Sequence, residues 1–321
     1  MKGTDVMKTD LVTGAAGFIG AEIARELLKQ GRQVVTIDNL STGAEEHIPE
    51  NVIFIKGDTF DKEVLEKLEK YNIENIYHIA GQSGGITSYD DPVYDMNSNI
   101  KSTLLLLDYA AEHKCQSFIY ASSMAVYGDE NQCPIIEETA IIKPNTFYGI
   151  GKMASENYMR IYAEQFGIKC TALRFCNIYG PGQNMENLRQ GMVSIFMSQA
   201  IKNKHIHVMG SEKRFRDFVY IDDVVRACIM AADGKEKERF NVYSIATNRK
   251  TTVEELIRLI QKVMPFEVSV EYKGSTPGDQ FGVYCSYELI KKNLGWTPKI
   301  DLQNGLAKMS GWALGDKQKG K

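Results

Sequence analysis

The chain has 321 residues, of which 43% are hydrophobic and 25% charged, and its formal net charge is −3. This length exceeds what one minimal core needs and predicts a large domain with a smaller lobe. The small net charge excludes a polyanion such as nucleic acid as the main partner. The longest purely aliphatic run, Leu104–Leu107, is far shorter than the ~20 residues that cross a bilayer.

The N-terminus and the cysteines bear on location. Met1–Asp10 is polar and has no apolar core of a signal peptide. Six cysteines are scattered without a Cys-x-x-Cys pair, which is typical of reduced thiols rather than disulfides or a zinc site. We therefore expect a cytoplasmic protein with no membrane partner and no bound metal.

The first half of the chain alternates short β-branched runs with amphipathic stretches. This alternation predicts a parallel sheet covered by helices on both faces. The predicted strands are Asp10–Thr13, Gln33–Ile37, Val52–Lys56, Asn75–Ile79, Ser117–Ala121 and Lys169–Arg174, and the predicted helices include Ala21–Gln30, Lys62–Lys70 and Ile100–His113.

A glycine-rich turn follows the first predicted strand and consists of Gly14, Ala15, Ala16, Gly17, Phe18, Ile19 and Gly20. Glycines there let backbone N–H groups approach a pyrophosphate at a helix N-terminus, although a glycine triplet alone is equally typical of a tight turn. Asp38 closes the second predicted strand, where an acid accepts ribose hydroxyls and repels a 2′-phosphate. The two features together predict binding of a dinucleotide, NAD in preference to NADP.

Polar residues also follow the third and fifth predicted strands, at Asp58 and Ser123. Functional groups in open α/β sheets gather at the carboxyl ends of strands. Asp58 is a candidate adenine contact, with a plain surface turn as the alternative. Ser123 is a candidate hydrogen-bond partner for a substrate hydroxyl, with a turn cap as the alternative.

Tyr148 and Lys152 stand four residues apart, a spacing that puts both side chains on one face of a helix. A phenol with an unperturbed pKa of ~10 is a poor base at neutral pH. A nearby ammonium, together with a cationic nicotinamide ring, favours the phenolate. The spacing alone is common on helices, so its meaning depends on the residues around it.

The pattern changes after about Ile178, where Gly180, Pro181 and Gly182 cluster and the strands become shorter. We predict an NAD-binding domain over residues 1–178, to which 218–232 returns, and a substrate-binding lobe over 179–321. The predicted fold class is α/β, a doubly wound parallel sheet with a smaller C-terminal α+β lobe.

In order along nearly the whole chain, these motifs resemble the extended short-chain dehydrogenases/reductases, and within them the NAD-dependent nucleotide-sugar epimerases and dehydratases. The residues that carry the resemblance are the glycine-rich turn, Asp38, Ser123, Tyr148, Lys152 and the segment Leu173–Gly182. The resemblance implies a Rossmann domain with a seven-stranded sheet, NAD as the cofactor and a nucleoside-diphosphate sugar as the substrate. It also implies a homodimer formed through helices at about Met96–His113 and Thr146–Phe166, whose apolar residues are equally compatible with ordinary core.

The resemblance implies roles for further residues. Arg216 matches an arginine that clamps the substrate diphosphate, although a surface ion pair with Asp217 or Asp222 is the alternative. The other residues that we expect to contact cofactor are Asn39, Ala80, Gly81 and Asn99, and those expected to contact substrate are Asn177, Arg189 and Asp279.

The chain departs from the family pattern at three places. Thr276 stands where relatives usually carry an arginine that supports the diphosphate, and Lys273 or Arg189 are candidate replacements. The stretch 81–88 lacks the arginine often found in relatives that act on uronic acids. Met124 and Ala125 stand where related dehydratases carry an Asp-Glu pair, and neither side chain transfers a proton.

These features predict an enzyme that oxidises the sugar at C4 and then reduces the 4-keto sugar on its other face. In that hypothesis Tyr148 is the base, Lys152 holds the phenolate and the nicotinamide ribose, and Ser123 stabilises the reacting oxygen. A C4 dehydrogenase that releases the keto sugar uses the same residues. A non-catalytic protein that binds NAD as a sensor or scaffold is a third hypothesis, which the presence of Tyr148 and Lys152 disfavours.

Overall fold

The central feature of the computed structural model, which describes residues 8–187, 190–234, 236–274 and 281–315, is a seven-stranded parallel sheet. The strands of this sheet are β1 Thr9–Thr13, β2 Gln33–Asp38, β3 Ile53–Lys56, β4 Ile73–His78, β5 Ser117–Ser123, β6 Lys169–Phe175 and β11 Phe240–Ile245. Their order across the sheet is β11-β6-β5-β4-β1-β2-β3. The doubly wound α/β fold predicted from the sequence is confirmed.

Six shorter strands form three two-stranded sheets. They pair as β7 Asn177–Tyr179 with β10 Phe218–Tyr220, β8 His205–Met209 with β13 Ser269–Lys273, and β9 Phe215–Arg216 with β12 Thr251–Thr252. The first two pairs are parallel and the third is antiparallel. Together with their helices they form the α+β part that the change of pattern after Ile178 predicted.

Two predicted helices, Ala21–Gln30 and Ile100–His113, lie within three residues of observed helices, whereas the predicted Lys62–Lys70 is α-helical only to Leu65 and continues as a 3-10 turn. The α-helices are α1 Phe18–Lys29, α2 Lys62–Leu65, α3 Gly85–Asp90, α4 Pro92–Met96, α5 Ser102–Glu112, α6 Phe147–Phe166, α7 Met192–Asn203, α8 Ile221–Asp233, α9 Val253–Val263, α10 Glu288–Leu294 and α11 Leu302–Ala313. Helix α1 begins three residues before the predicted start because Gly17, with extended backbone, is its N-cap. One π-helical turn, 97–101, precedes α5.

Apolar side chains on the strands of the sheet are fully buried. Leu11, Val35, Ile37, Ile76 and Phe118 all lie on strands and are 0% exposed. Strands buried on both sides read as continuous apolar runs rather than alternating ones, as expected for a parallel sheet under two helical layers. This packing fixes the carboxyl ends of β1, β2, β4 and β5, where the candidate site residues lie.

The chain divides into two compact units. The first comprises the described residues up to Glu130, 141–174 and 225–243; the second comprises 131–140, 175–224 and the described residues from Ser244 onward. The assignment of cofactor binding to 1–178 and substrate binding to 179–321 concerns ligands, and it stays a prediction. No helix in the described ranges is both long enough and apolar enough to cross a membrane.

Candidate active site

The glycine-rich turn joins β1 to α1, and its backbone conformation requires glycine at two positions, Gly14 and Gly20. Gly14 has a φ of +79°, and a Cβ added there meets the Ala80 backbone nitrogen at 3.0 Å. A Cβ on Gly20 would come within 2.3 Å of the Gly14 carbonyl oxygen. Helix α1 has no side-chain cap and no acidic residue in its first turn. Its N-terminal N–H groups therefore face the cradle, and these are donors suited to an anionic phosphate.

Asp38 lies beside this cradle at the end of β2 and is 9% exposed. Its Oδ2 accepts a hydrogen bond from the Ala16 backbone N–H at 3.0 Å, and its Oδ1 accepts one from the Leu40 N–H at 2.8 Å. Each carboxylate oxygen keeps a second lone pair, so ribose hydroxyls still find acceptors there. The carboxylate thus holds the turn in shape, and its contact with ribose stays a prediction.

Two predicted cofactor residues contact one another: the Asn39 amide donates to Asp58 Oδ1 at 2.5 Å. This hydrogen bond links the ends of β2 and β3, which are neighbours in the sheet. This hydrogen bond is compatible both with a cofactor contact at Asp58 and with the alternative of a plain surface turn. Whether Asp58 also contacts adenine stays a prediction.

A buried hydrogen-bond chain shapes the backbone after β4. Thr13 Oγ1 accepts from the Ile79 and Ala80 N–H groups, both at 3.0 Å, so its hydroxyl proton is directed to His78 Nδ1 at 2.9 Å. His78 is 0% exposed, and burial lowers its pKa to about 3, which keeps the imidazole neutral. These hydrogen bonds hold Ile79 and Ala80 in place, with Ala80 next to Gly14. They were not predicted from the sequence, since nothing near His78 forms a motif.

Asn99 extends from the π-helical turn towards Gly81. Its Nδ2 donates to the Gln82 carbonyl oxygen at 2.9 Å, whereas its buried Oδ1 accepts no hydrogen bond from any residue that the structure describes. A Cβ on Gly81 would lie 2.6 Å from that oxygen. A buried acceptor without a donor is costly, and a ribose hydroxyl would satisfy it. π-Helical turns often occur at functional sites, as here.

Ser123, Tyr148 and Lys152 are placed by β5 and α6. Thr146 caps α6 by accepting from the Gly149 N–H at 3.0 Å, which sets Tyr148 in the first turn and Lys152 one turn later. Gly149 lets the helix approach the end of β5, because a Cβ there would lie 2.7 Å from the Ala125 carbonyl oxygen. The Lys152 ammonium lies 5.6 Å from the centroid of the Tyr148 ring. The Lys152 side chain is buried, at 3% exposure, and the catalytic role of the Tyr148–Lys152 pair stays a prediction.

Burial disfavours charge on both titrating residues. It lowers the pKa of Lys152 to about 7, against the carboxylates of Asp95 and Glu156, and it raises the pKa of Tyr148 to about 12. A hydrogen bond with Ser123 acts in the opposite direction on Tyr148. The protein's own groups therefore do not make the phenolate at neutral pH. Lowering the pKa of Tyr148 requires a further positive charge. We expect the cationic nicotinamide ring to supply it, together with the Lys152 ammonium.

Asp95 is a further acid at the site, and the sequence reasoning missed it. It lies on α4, is 2% exposed, and its Oδ1 accepts from Gln82 Nε2 at 3.0 Å and Asn99 Nδ2 at 3.3 Å. Burial raises its pKa, and its charge acts on both Lys152 and Tyr148. The i, i+4 spacing of Asp95 and Asn99 was the signal available in the sequence.

A buried ion pair supports the other side of Lys152. Arg174 on β6 donates to Glu156 on α6 through two hydrogen bonds, at 2.9 and 2.6 Å, and Ser122 donates to the same carboxylate at 2.5 Å. All three side chains are nearly fully buried. Removing one member leaves an uncompensated buried charge, which costs ~3–5 kcal/mol. The pair therefore fixes α6 against the sheet.

The second unit carries the residues expected to contact the substrate diphosphate. Arg216, on β9, is 6% exposed, and its Nη1 donates to the Phe215 carbonyl oxygen at 2.8 Å. Asn177 Nδ2 donates to the Asp217 carbonyl oxygen at 3.2 Å. Lys273 lies 2.6 Å from Glu271. Three further positions from the sequence analysis, Arg189, Thr276 and Asp279, lie outside the described residues.

The comparisons with known proteins agree with this fold and site. The sequence profile of the NAD dependent epimerase/dehydratase family matches residues 11–246. A Methanocaldococcus jannaschii protein named putative UDP-glucose 4-epimerase is 34% identical over 94% of this chain and 97% of its own length. The chain belongs to the NAD-dependent epimerase/dehydratase family, and the resemblance inferred from its motifs is confirmed.

Solved structures extend the likeness to the whole backbone. The Thermotoga maritima UDP-glucose 4-epimerase, solved with UDP-glucose, has a TM-score of 0.91 and 33% identity, covering 96% of this chain and 99% of its own. The Thermus thermophilus UDP-glucose 4-epimerase, solved with NAD, has a TM-score of 0.88 and 30% identity over 96% and 99%.

NAD fits the residues that are present. The cradle excludes any Cβ at Gly14 and Gly20, the α1 N–H groups suit a pyrophosphate, and Asp38 suits ribose hydroxyls. The orphaned Asn99 Oδ1 supplies an independent acceptor on the same side. NAD is therefore the cofactor, as predicted.

Proposed function

We propose that this protein is an NAD-dependent epimerase that inverts C4 of a nucleoside-diphosphate hexose. The observation that carries the proposal is the position of Tyr148 and Lys152, one helical turn apart on α6, beside Ser123 at the end of β5. The names of the relatives make UDP-glucose and UDP-galactose the first substrates to test. Relatives named 4-epimerases support epimerisation rather than release of a keto sugar.

Each reactive residue has a defined task. Tyr148, as phenolate, removes the proton from the C4 hydroxyl and later returns it. Lys152 holds the phenolate through its positive charge, and Ser123 donates a hydrogen bond to the reacting oxygen. The bound NAD supplies reversible hydride acceptance, which no side chain of the protein provides. The 4-keto sugar must turn over before reduction for the configuration to invert.

Elimination of water is not part of this proposal. Met124 and Ala125 form the turn after Ser123, where a dehydratase needs an acid and a base. Two acids of the segment that follows have other partners: Glu130 forms an exposed ion pair with Lys143, and Glu137 accepts from the Ser244 N–H at 2.6 Å. The C6 hydroxyl of the sugar is therefore retained.

The assembly we infer is a homodimer through α6 and α5. Four large apolar residues on α6, Phe147, Ile150, Tyr158 and Ile161, are 38–46% exposed. At 100° per residue they fall within one stripe about 80° wide, spaced i, i+3, i+11 and i+14. An apolar stripe of this kind on a long helix is self-complementary about a twofold axis, as an isologous interface requires.

We also infer that the protein is cytoplasmic and contributes to polysaccharide biosynthesis. The six cysteines are free thiols and five of them are buried, which suits a reducing compartment. An epimerase of activated hexoses changes which sugar is available for transfer to a growing chain.

One experiment tests the chemistry and the base together. The protein is incubated with UDP-, GDP-, CDP- and dTDP-hexoses, with and without added NAD, and the products are followed by NMR. We expect C4 epimers from at least one nucleotide sugar, with UDP-glucose as the first candidate. A keto sugar as the stable product would favour the dehydrogenase, and no product from any sugar would favour the scaffold.

A further inference from the structure

One face of the β8–β13 sheet carries a set of metal-binding side chains far from the sequence motifs. The two strands pair in parallel, with His205 opposite Ser269 and His207 opposite Glu271. Because strand side chains alternate, His205 and His207 share one face while Ile206 and Val208, both 0% exposed, occupy the other. One face of this sheet is therefore buried and apolar, and the other is polar.

The donor atoms on the polar face are already close together. His205, His207 and Glu271 each offer one ligand atom, and these atoms lie within 4.8 Å of one another. Zinc with ligands at ~2.0–2.1 Å in a tetrahedron separates neighbouring ligand atoms by ~3.3 Å. Closing the difference takes a rotation of side chains that are only half-buried, without a change in the backbone.

Neighbouring contacts orient the ligands. His205 Nδ1 lies 2.8 Å from Ser269 Oγ, which directs its Nε2 towards a metal. His207 Nδ1 lies 3.4 Å from Glu271 Oε2, so a carboxylate already accompanies the second ring. Lys273 lies 2.6 Å from Glu271 Oε1 and competes for the carboxylate. An exposed ion pair of this kind is weak, so a metal ion can displace the lysine.

We propose that His205, His207 and Glu271 bind one divalent transition-metal ion of the zinc class. Two imidazoles and a carboxylate suit Zn²⁺, Cu²⁺ or Ni²⁺ and not Mg²⁺ or Ca²⁺, which prefer oxygen ligands. Three protein ligands leave one position for water. The ion would join both strands of a sheet that has only two, and such sheets are marginal on their own. The sequence-based expectation of no bound metal rested on the spacing of the cysteines. The spacing of the histidines gave no signal, because Glu271 lies 64 residues after His207.

The test is a calorimetric titration of the chelator-treated full chain with ZnCl₂. We expect one saturable site whose Kd rises at least tenfold in both His205→Ala and His207→Ala. The matched control is His113→Ala, since His113 pairs with Glu69 at 3.0 Å but has no second histidine beside it. Lys273→Met should lower the Kd, because it removes the competing ammonium. MgCl₂ should show no saturable binding.

A thermal-unfolding measurement tests the same metal site by a method that does not depend on the titration. Zn²⁺ at ~100 times the Kd should raise the Tm of the wild type and of His113→Ala, but not that of His207→Ala. Circular dichroism confirms that the variants are folded. The proposal is overturned if no saturable Zn²⁺ site is found, or if both histidine variants bind Zn²⁺ as the wild type does. Neither outcome depends on the epimerase activity.

Discussion

The pKa values of Tyr148 and Lys152 are displaced in opposite directions, to about 12 and about 7, and burial is the largest cause for both. At neutral pH Tyr148 is therefore a neutral phenol, and Lys152 is near the midpoint of its titration. Such a pair holds a phenol and an amine side by side until a further positive charge favours the phenolate. The site is therefore activated by its cofactor rather than by the lysine alone.

Tyr148→Phe tests the base. The substitution removes only the phenolic oxygen, so turnover should fall by at least ~10² while NAD affinity stays within about twofold. The activity is measured by NMR of the sugar product and the affinity by calorimetry. Tyr158→Phe, on the same helix but 42% exposed, is the matched control and should keep full activity. Near wild-type turnover in Tyr148→Phe would assign the proton transfer to another group.

Asp95→Asn tests the acid that the sequence did not reveal. The charged groups acting on Lys152 are Asp95 and Glu156, and the Asp95 carboxylate raises the pKa of both Lys152 and Tyr148. Removing its charge lowers both pKa values, so both limbs of the pH profile of kcat/KM should move to lower pH by about one unit. A purely structural role would lower the plateau without moving the limbs.

Arg216→Ala tests the substrate diphosphate. A charged hydrogen bond is worth ~1.5–3 kcal/mol, so the Kd for a UDP-hexose should rise more than about tenfold while NAD still binds. The control is Arg249→Ala, an exposed arginine of the same unit that pairs with Glu255 at 2.5 Å. An unchanged sugar-nucleotide affinity would place the diphosphate elsewhere.

Helix α6 connects the chemistry of the site with the proposed interface. One side of it holds Tyr148, Lys152 and the buried Glu156, and another carries the exposed apolar stripe. A helix that must satisfy both requirements tolerates few substitutions along its length.

Ile161→Glu tests the interface. A carboxylate within the stripe should convert the dimer into a monomer in sedimentation velocity at micromolar concentration, because burying an unpaired charge is costly. Ile142→Glu is the matched control, since Ile142 has the same 38% exposure but lies outside the stripe. A wild-type chain that sediments as a monomer would contradict the assembly itself.

Six of the seven strands of the sheet, β1 to β6, were predicted from short apolar or β-branched runs. The seventh, β11 Phe240–Ile245, was not predicted, because it joins the sheet from a part of the chain that we assigned to the substrate-binding lobe. The glycine-rich turn, Asp38 and the Tyr148–Lys152 spacing were predictable because they are local. Asp95, His78 and the Glu156–Arg174 pair were not, since their meaning arises only when distant segments meet in the fold. The ionisation of Tyr148 was also not predictable, because it depends on burial rather than on residue type.

At the scale of the whole molecule, the described residues predicted to bind the cofactor and to react lie in the first unit, whereas Arg216 and Asn177, predicted to contact the substrate, lie in the second. The family profile matches residues 11–246, which include nearly all of the first unit and less than half of the second. The reaction, inversion at C4 with the C6 hydroxyl retained, is the central claim for the protein as a whole.

The most direct measurement follows a deuterium label at C4. UDP-glucose deuterated at C4 is incubated in ordinary water with the protein and catalytic NAD, and the product is analysed by NMR and mass spectrometry. We predict UDP-galactose that keeps the label at C4, at unchanged mass. Loss of the label to water, accumulation of a keto sugar, or a mass lower by one water would contradict the account.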